Sequence, residues 1–352
     1  MPGDRFEKRI KQLSGGIWTK VAQIDELKGQ WTAGARLSPQ ILGRLKQSVL
    51  VTSTGASTRI EGAKLSDEDV EKLMRGISIQ KFADRDRQEV RGYFELLQTV
   101  FDAWKNIRFS ENSIKHLHQE MLKYVEKDKL HRGKYKHKEN KVHMVNAAGQ
   151  SAGILFDTTP AYLTPKEMQE IVEWSAEALK RKTYHPLLII GNFIVEFLKI
   201  HPFEDGNGRI SRILTNLLLL QHGYLFIPYV SHEKLVEDNK PDYYMALRKS
   251  QNTFKTKQEN INAWLEFFMN TVLAQAQGAV KLLTEEDLET TLSPKQLAVW
   301  QFLQTVDEAS PGEISKKSKV ARPTVNQALE KLIRLNKIER LGMGRTTRYR
   351  KS

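Results

Sequence analysis

Between Leu187 and Ile200 the chain reads LLIIGNFIVEFLKI, apolar nearly all round. A helix with one apolar stripe can lie on a surface, but one apolar around its circumference must be wrapped by others. The run therefore predicts a buried central helix over 185–200, with other helices packed about it. It delivers the chain directly to His201.

The remaining sequence supplies the wrapping, because helical spacing dominates and strand alternation is scarce. In the N-terminal region (1–40), Ile17, Val21, Ile24 and Leu27 follow helical spacing, and Trp18 and Trp31 read as packing residues. A second helix is expected from the cap Ser38-Pro39 to Glu61, with Gly62 as its stop. Ser66 with Asp67-Glu68-Asp69 resembles a capping box, and helices are expected over 66–75, 83–106, 111–126, 165–181 and 209–222. The pattern breaks at 131–165, where the β-leaning runs KVHMV and GILF flank the turn-rich NAAGQSAG. That predicts a hairpin with a loose loop. His185, beside Pro186, reads as a helix cap.

At 352 residues the chain can bury a sizeable core and has room for two or three domains. It has no cysteine, which excludes disulfides, zinc fingers and thiol nucleophiles. The charged start MPGDRFEKRIKQ lacks the apolar run of a signal peptide, and no stretch approaches the roughly 20 apolar residues of a membrane span. A soluble, cytoplasmic protein with no membrane partner is expected. The net charge of +13 is uneven: Ser293–Ser352 holds thirteen Lys/Arg against five Asp/Glu, a net +8, leaving +5 for the other 292 residues. Such a tail suits an anionic partner or is a solvated basic face.

Chemistry concentrates in HPFEDGNGRISR at 201–212. The GNG of Gly206, Asn207 and Gly208 runs straight into an apolar helical stretch, so it falls at a helix N-terminus. Unpaired N–H groups and the macrodipole make an anion site there. Arg209 and Arg212, three apart, add two bidentate-capable cations on one side of the first turn. Asp205 beside bound phosphates is repulsive unless a cation intervenes, which makes it a natural magnesium ligand. His201, across the loop, is placed to take a proton from an attacking hydroxyl. The competing readings are a structural histidine, an everyday turn, or a metal cluster of His201, Glu204 and Asp205. No second histidine has suitable helical spacing for that cluster. His131, His137 and His143 sit in hairpin sequence and read as a poor metal set. There is no Walker A pattern. The co-occurrence of base, acid, anion nest and paired arginines favours a polyphosphate site.

HPFEDGNGRISR resembles the Fic-domain motif, His-Pro-Phe-x-Asp/Glu-Gly-Asn-Gly-Arg-x-x-Arg, at every specified position. The resemblance extends over about 45–270, through LHQEMLKYVEKDKLHRGKYK, the hairpin, HPLLIIGNFIVEFLKIHPF, DYYMALRKSQ and INAWLEFFMN. One departure is Lys136, where members often carry Arg. The resemblance implies a mainly α Fic-fold helical bundle with a β-hairpin flap, transferring AMP from ATP to a Tyr, Ser or Thr hydroxyl. It implies His201 as general base and Asp205 as Mg2+ ligand. The ATP-binding set would be Glu61, Gly206, Asn207, Gly208, Arg209, Ile210, Ser211, Arg212 and Tyr244. Arg209 and Arg212 would grip the leaving pyrophosphate, and Phe203 would anchor the loop. The 142–156 flap would align a target segment as an added strand. Tyr244 would lie near the base, although spacing alone fits a core aromatic equally well.

STRIEG at 57–62 is, by itself, a helix end. It also resembles the inhibitory Ser/Thr-x-x-x-Glu-Gly/Asn motif of Fic proteins, here Ser57, Glu61 and Gly62, whose glutamate would pair with Arg212 and block the γ-phosphate. From Leu292 onward three helix signals and two β-leaning runs about Gly-Met-Gly resemble a winged helix-turn-helix. Its recognition helix would span about 322–335, and Arg345, Arg348 and Arg350 would lie in the wing. DNA binding, protein contact and homodimerisation stay open for it. The expected organisation is an N-terminal helical region (1–40), a Fic domain (41–280) with the inhibitory helix at about 41–62, a linker (281–292) and the winged helix (293–352). The expected function is an autoinhibited protein adenylyltransferase. The alternatives are a DNA-binding regulator with a nucleotide-sensing core, and a hydrolase that removes AMP.

Overall fold

A computed structural model describes residues 4–34, 39–76, 84–145, 151–335, 337–342 and 347–351. The expected cap Ser38, the hairpin loop 146–150 and Arg345 lie outside these. The chain divides into two compact units, Met1–Val280 and Lys281–Ser352.

In the first unit the order is α1 (Asp4–Lys11), α2 (Gly15–Gly34), α3 (Pro39–Ile60), α4 (Asp67–Met74), α5 (Asp84–Ala103) and α6 (Glu111–Met121). The hairpin β1 (Lys141–Val145) and β2 (Ser151–Asp157) follows, then α7 (Thr164–Arg181), α8 (Pro186–Ile200), α9 (Asn207–Gln221), α10 (His232–Asp238), α11 (Lys240–Gln251) and α12 (Asn262–Thr291), whose residues after Val280 belong to the second unit. The buried run is α8, inaccessible from Leu187 to Leu198 and again at Ile200. His185 caps it, its Nδ1 accepting from the Leu187 N–H at 3.3 Å. Helices α7, α9, α1 and α11 pack around it.

Two buried polar residues interrupt that helix, Asn192 and Glu196, four apart and so on one face. The N-terminal region answers them. Arg9 of α1 is fully buried, with Nη2 2.7 Å from Glu196 Oε2 and Nη1 donating to Asn192 Oδ1 at 3.0 Å. It also bonds Glu259 and stacks 3.9 Å over the Phe254 ring. α1 thus packs into the first unit's core through Arg9.

α3 ends as expected, at a turn where Gly62 takes φ +103 and the Ala63 N–H returns to Thr58 O at 3.1 Å. Ser66 and Asp69 form the capping box of α4. α6 stops at Met121, short of the expected 126, because i→i−3 bonds tighten the chain there: Lys123 N to Glu120 O, then Val125 N to Leu122 O. Trp31 packs on Tyr229, but Trp18 is 46% exposed, contrary to expectation. It lies one position past the buried stripe of Ile17, Val21, Ile24 and Trp31, about 100° round the helix. β1 and β2 pair antiparallel from Lys141↔Asp157, with register shifts after Val142 and Met144.

The stretch expected as a linker, 281–292, is mostly helix, because α12 continues unbroken to Thr291. The second unit then holds α13 (Pro294–Leu303), α14 (Pro311–Ser318) and α15 (Arg322–Arg334), followed by β3 (Ile338–Leu341) antiparallel to β4 (Arg348–Lys351). Val299, Leu303, Ile314, Val325, Leu329 and Leu332 form its own core. Ser293 and Ser310 close capping boxes on α13 and α14.

Candidate active site

α8 ends at His201, which takes the left-handed conformation (φ 54) and donates its N–H to Phe197 O at 2.9 Å. Its Nδ1 lies 3.3 Å from the Leu198 carbonyl. A carbonyl can only accept, so Nδ1 carries the proton and Nε2 keeps its lone pair. Burial pushes the imidazole down to about 4, against the raising effect of the Leu198 bond. His201 is therefore a neutral base at ordinary pH.

The loop beyond is pinned from below. Phe203 is fully buried and stacks on the His118 ring, centroids 3.8 Å apart. His118 Nδ1 accepts the Gly133 N–H at 2.9 Å, so its Nε2 is the donor to Asp205 O at 3.0 Å. Asn207 bonds Phe203 at both ends, Oδ1 accepting from its N–H and Nδ2 donating to its carbonyl. The Asn207 side chain is spent on the loop, leaving the backbone as its contribution to an anion site.

Gly206 caps α9 at φ +79, where a Cβ would collide with Met121. The helix therefore starts at Asn207, two residues ahead of expectation. Its first turn is occupied. The Glu61 carboxylate sits against Gly208, where a Cβ would overlap it, and its Oε1 is 2.7 Å from Arg212 Nη2. Arg212 is also held by Ser57, with Nε donating to Oγ at 2.9 Å and Nη2 to the carbonyl at 3.0 Å. Burial alone would lower the Arg212 guanidinium; Glu61 outweighs it and holds it above its usual range. Of the three residues expected as an inhibitory motif, Ser57 and Glu61 bond Arg212, and Gly62 turns the chain after α3.

Arg209 is buried, with Nη2 3.0 Å from Asp205 Oδ2 and Nη1 2.6 Å from Glu89 Oε2. Asp205 also receives Arg85 Nη2 at 2.8 Å and the Gly206 N–H at 2.7 Å. Burial works to raise its pKa, but Arg209, the Gly206 N–H and Arg85 prevail and hold it low. Two further residues expected at the nucleotide follow in the first turns of α9. Ile210 is in the core with its N–H bonded to Gly206 O, and Ser211 is buried with Oγ donating to Gly208 O. Tyr244 is half-buried, its ring edge-on to Tyr243, and Glu61 is near enough to help burial raise its phenol. Tyr243 is the more buried of the two, pushed up to about 12 by burial against the lowering effect of Arg212.

Sequence reasoning missed Glu89, Asp128 and Arg85. Ligand atoms of Glu89, Asp128 and Asp205 lie within 4.8 Å of one another. That all-oxygen donor set fits a hard divalent cation such as Mg2+. Glu89 and Asp128 stand on α5 and beyond α6, and no local pattern in the sequence joins them to residue 205. His131 is drawn to Asp128 (3.3 Å) and Glu204 (3.8 Å).

Residues 108–219 match the sequence profile of the Fic/DOC family. The chain is 24% identical, with a TM-score of 0.63 over 97% of both chains, to a Fic family protein from Desulfovibrio desulfuricans G20. It is 22% identical, with a TM-score of 0.61, to a Fic domain containing signaling protein from Bacteroides thetaiotaomicron; there 75% of this chain covers 97% of that one. The first unit thus has the mainly helical Fic fold. Among curated relatives, a probable protein adenylyltransferase of Aquifex aeolicus is 33% identical over 99 residues, which is 28% of this chain and 28% of that protein. The protein adenylyltransferase Fic of Aedes aegypti is 46% identical over 41 residues, 12% of this chain and 8% of that one. The chain thus aligns with under a third of each of these relatives' length.

Proposed function

We propose that the chain transfers AMP from ATP to a Tyr, Ser or Thr hydroxyl of a target protein and of itself, releasing pyrophosphate, and that Glu61 restrains this activity. One observation carries the reading. The N-terminus of α9, with Arg209 and Arg212 beside it, is a built anion site, and the group filling it is the chain's own Glu61 carboxylate.

With Glu61 withdrawn, the first-turn N–H groups and Arg212 would receive the β- and γ-phosphates. The target hydroxyl oxygen would attack the α-phosphorus in line as the bond to the β-phosphate oxygen breaks. Its proton would go to His201 Nε2, the ring nitrogen left free by the Leu198 bond. No covalent enzyme intermediate is needed; positioning and charge neutralisation do most of the work. Asp205, with Glu89 and Asp128 behind it, would hold Mg2+, which supplies charge neutralisation at the phosphates. The β1–β2 hairpin would take a target segment as an added strand. We read the second unit as a winged helix whose Arg322, Lys331 and Arg334 on α15 and Arg348 on β4 face an anionic partner, with DNA the class to test.

The test is incorporation of labelled AMP at fixed Mg2+ and ATP. Glu61→Gly is expected to raise transfer by about 10²-fold, the scale of a misplaced reactant restored to register. Adding Arg212→Ala should cancel the gain, because the freed arginine is what the active state uses. Transfer at or below the wild-type rate in Glu61→Gly would sink the restraint.

A further inference from the structure

Lys136 is only 2% exposed, although it lies in a segment given no part in the chemistry above. Burying an ammonium is costly unless each of its donors finds an acceptor. All three do: Nζ donates to Ile200 O at 3.0 Å, Asn140 Oδ1 at 2.8 Å and Thr158 Oγ1 at 3.0 Å. The Lys136 backbone N–H donates to Pro202 O at 2.8 Å. Asn140 extends the clamp, its Nδ2 donating to Phe203 O at 3.0 Å and standing 3.5 Å from His201 O. The carbonyls just before and just after His201 are thus bonded to one residue. The same ammonium holds Asn140, which immediately precedes β1, and Thr158, which immediately follows β2.

His201 needs such support. A non-glycine residue at positive φ persists only where its surroundings over-determine it. We propose that Lys136 is a positioning residue that ties the base of the β1–β2 hairpin to the backbone carrying His201, so that one clamp sets both the general base and the strand bound to the hairpin. The proposal rests on the AMP-transfer reading and assigns it a residue outside the 201–212 motif.

The charge on the clamp is open to titration. Burial pushes the Lys136 ammonium down to about 8, against Glu139 and Glu167, which raise it. Glu139 comes from the segment before β1. Glu167 comes from α7 and is itself bonded to Thr159 Oγ1 and Lys255. His201 faces it from the end of α8, and the positive charge of Lys136 helps lower that imidazole. Below about pH 8 three N–H bonds meet three oxygens; above it one donor is lost and a lone pair faces acceptors. The unfolded lysine titrates near 10.5, so between these values the unfolded chain binds more protons and this group's share of stability rises with pH. A loss of activity in that window is therefore not unfolding caused by Lys136.

The experiment compares Lys136, Lys136→Arg and Lys136→Met in the Glu61→Gly background, reading labelled AMP incorporation into the protein itself from pH 6 to 10 together with ATP affinity by calorimetry. Lys136→Met is expected to lose at least about tenfold in rate at neutral pH with ATP affinity within about twofold, as misplacement of a base predicts. Lys136→Arg should restore the rate and abolish the alkaline decline near pH 8, because a guanidinium stays charged throughout. An identical alkaline limb in Lys136 and Lys136→Arg, or an undiminished rate in Lys136→Met, overturns the proposal. Where Lys136→Met does not fold, the Arg comparison decides alone. If the Glu61→Gly parent binds ATP but incorporates no AMP, the transfer reading has failed, and hydrogen exchange then judges the clamp. Faster exchange of the His201 and Phe203 amides in Lys136→Met upholds it, and unchanged exchange overturns it.

Discussion

His201 illustrates how one residue's chemistry is set by backbone contacts. The Leu198 carbonyl fixes the proton on Nδ1, and burial keeps the ring neutral. Because the folded pKa is pushed down to about 4, the imidazole can accept a proton above that value and is protonated below it. In Glu61→Gly, kcat/KM should show no acid limb from this group near 6.5, where an unperturbed histidine titrates; the limb should lie near pH 4. A pH–rate profile in hand with an inflection near 6.5 that vanishes on mutation of His201 would contradict this. His201→Ala should cost about 10²–10⁴-fold in transfer with ATP binding kept, since it removes the base and leaves the α9 N-terminus untouched. Transfer at the parent rate would exclude His201 as the base.

Among elements, the pairing of α1 with α8 bears directly on stability. Glu196 is buried on the central helix, and burial alone would raise its pKa; Arg9 and Arg5 overcome that and hold it low. A carboxylate depressed in the folded state contributes stability above its unfolded pKa and loses it as pH falls. Arg9→Ala leaves the buried Glu196 with Arg5 as its remaining arginine partner and Asn192 short of a donor, so it should cost about 3 kcal/mol by chemical denaturation. Arg9→Ala with Glu196→Met together should cost less than Arg9→Ala alone, because the under-compensated charge is gone. A double variant as unstable as the single one would show that packing of α1, not its charge, is what α8 needs.

The whole molecule separates chemistry from charge. Every group in the proposed reaction lies in the first unit, whereas the basic excess lies in Ser293–Ser352. Deleting 293–352 should leave intrinsic AMP transfer within about twofold, as expected for sites with separate cores. It should also remove DNA affinity that falls steeply with salt. A titration across salt concentrations with the full chain and the deletion checks both. Salt-insensitive binding, or none by the full chain, would make the second unit a protein-contact module.

The sequence by itself determined what is local. The all-round apolar run gave a buried α8, Ser66 and His185 gave caps, and GNG ahead of an apolar stretch placed the start of α9 to within two residues. Periodicity and capping act over a few residues and leave a legible trace. Trp18 shows the limit even there, since a single step round a helix moves a ring from core to solvent. Only the tertiary structure decided which partners meet across the chain. It brought Glu61 onto Gly208 and Arg212, Glu89 and Asp128 toward Asp205, and Lys136 under His201. It also drew the N-terminal helix into the core through Arg9. Those are pairings between charges and hydrogen bonds distant in sequence, and their energy depends on burial and geometry that no local pattern encodes.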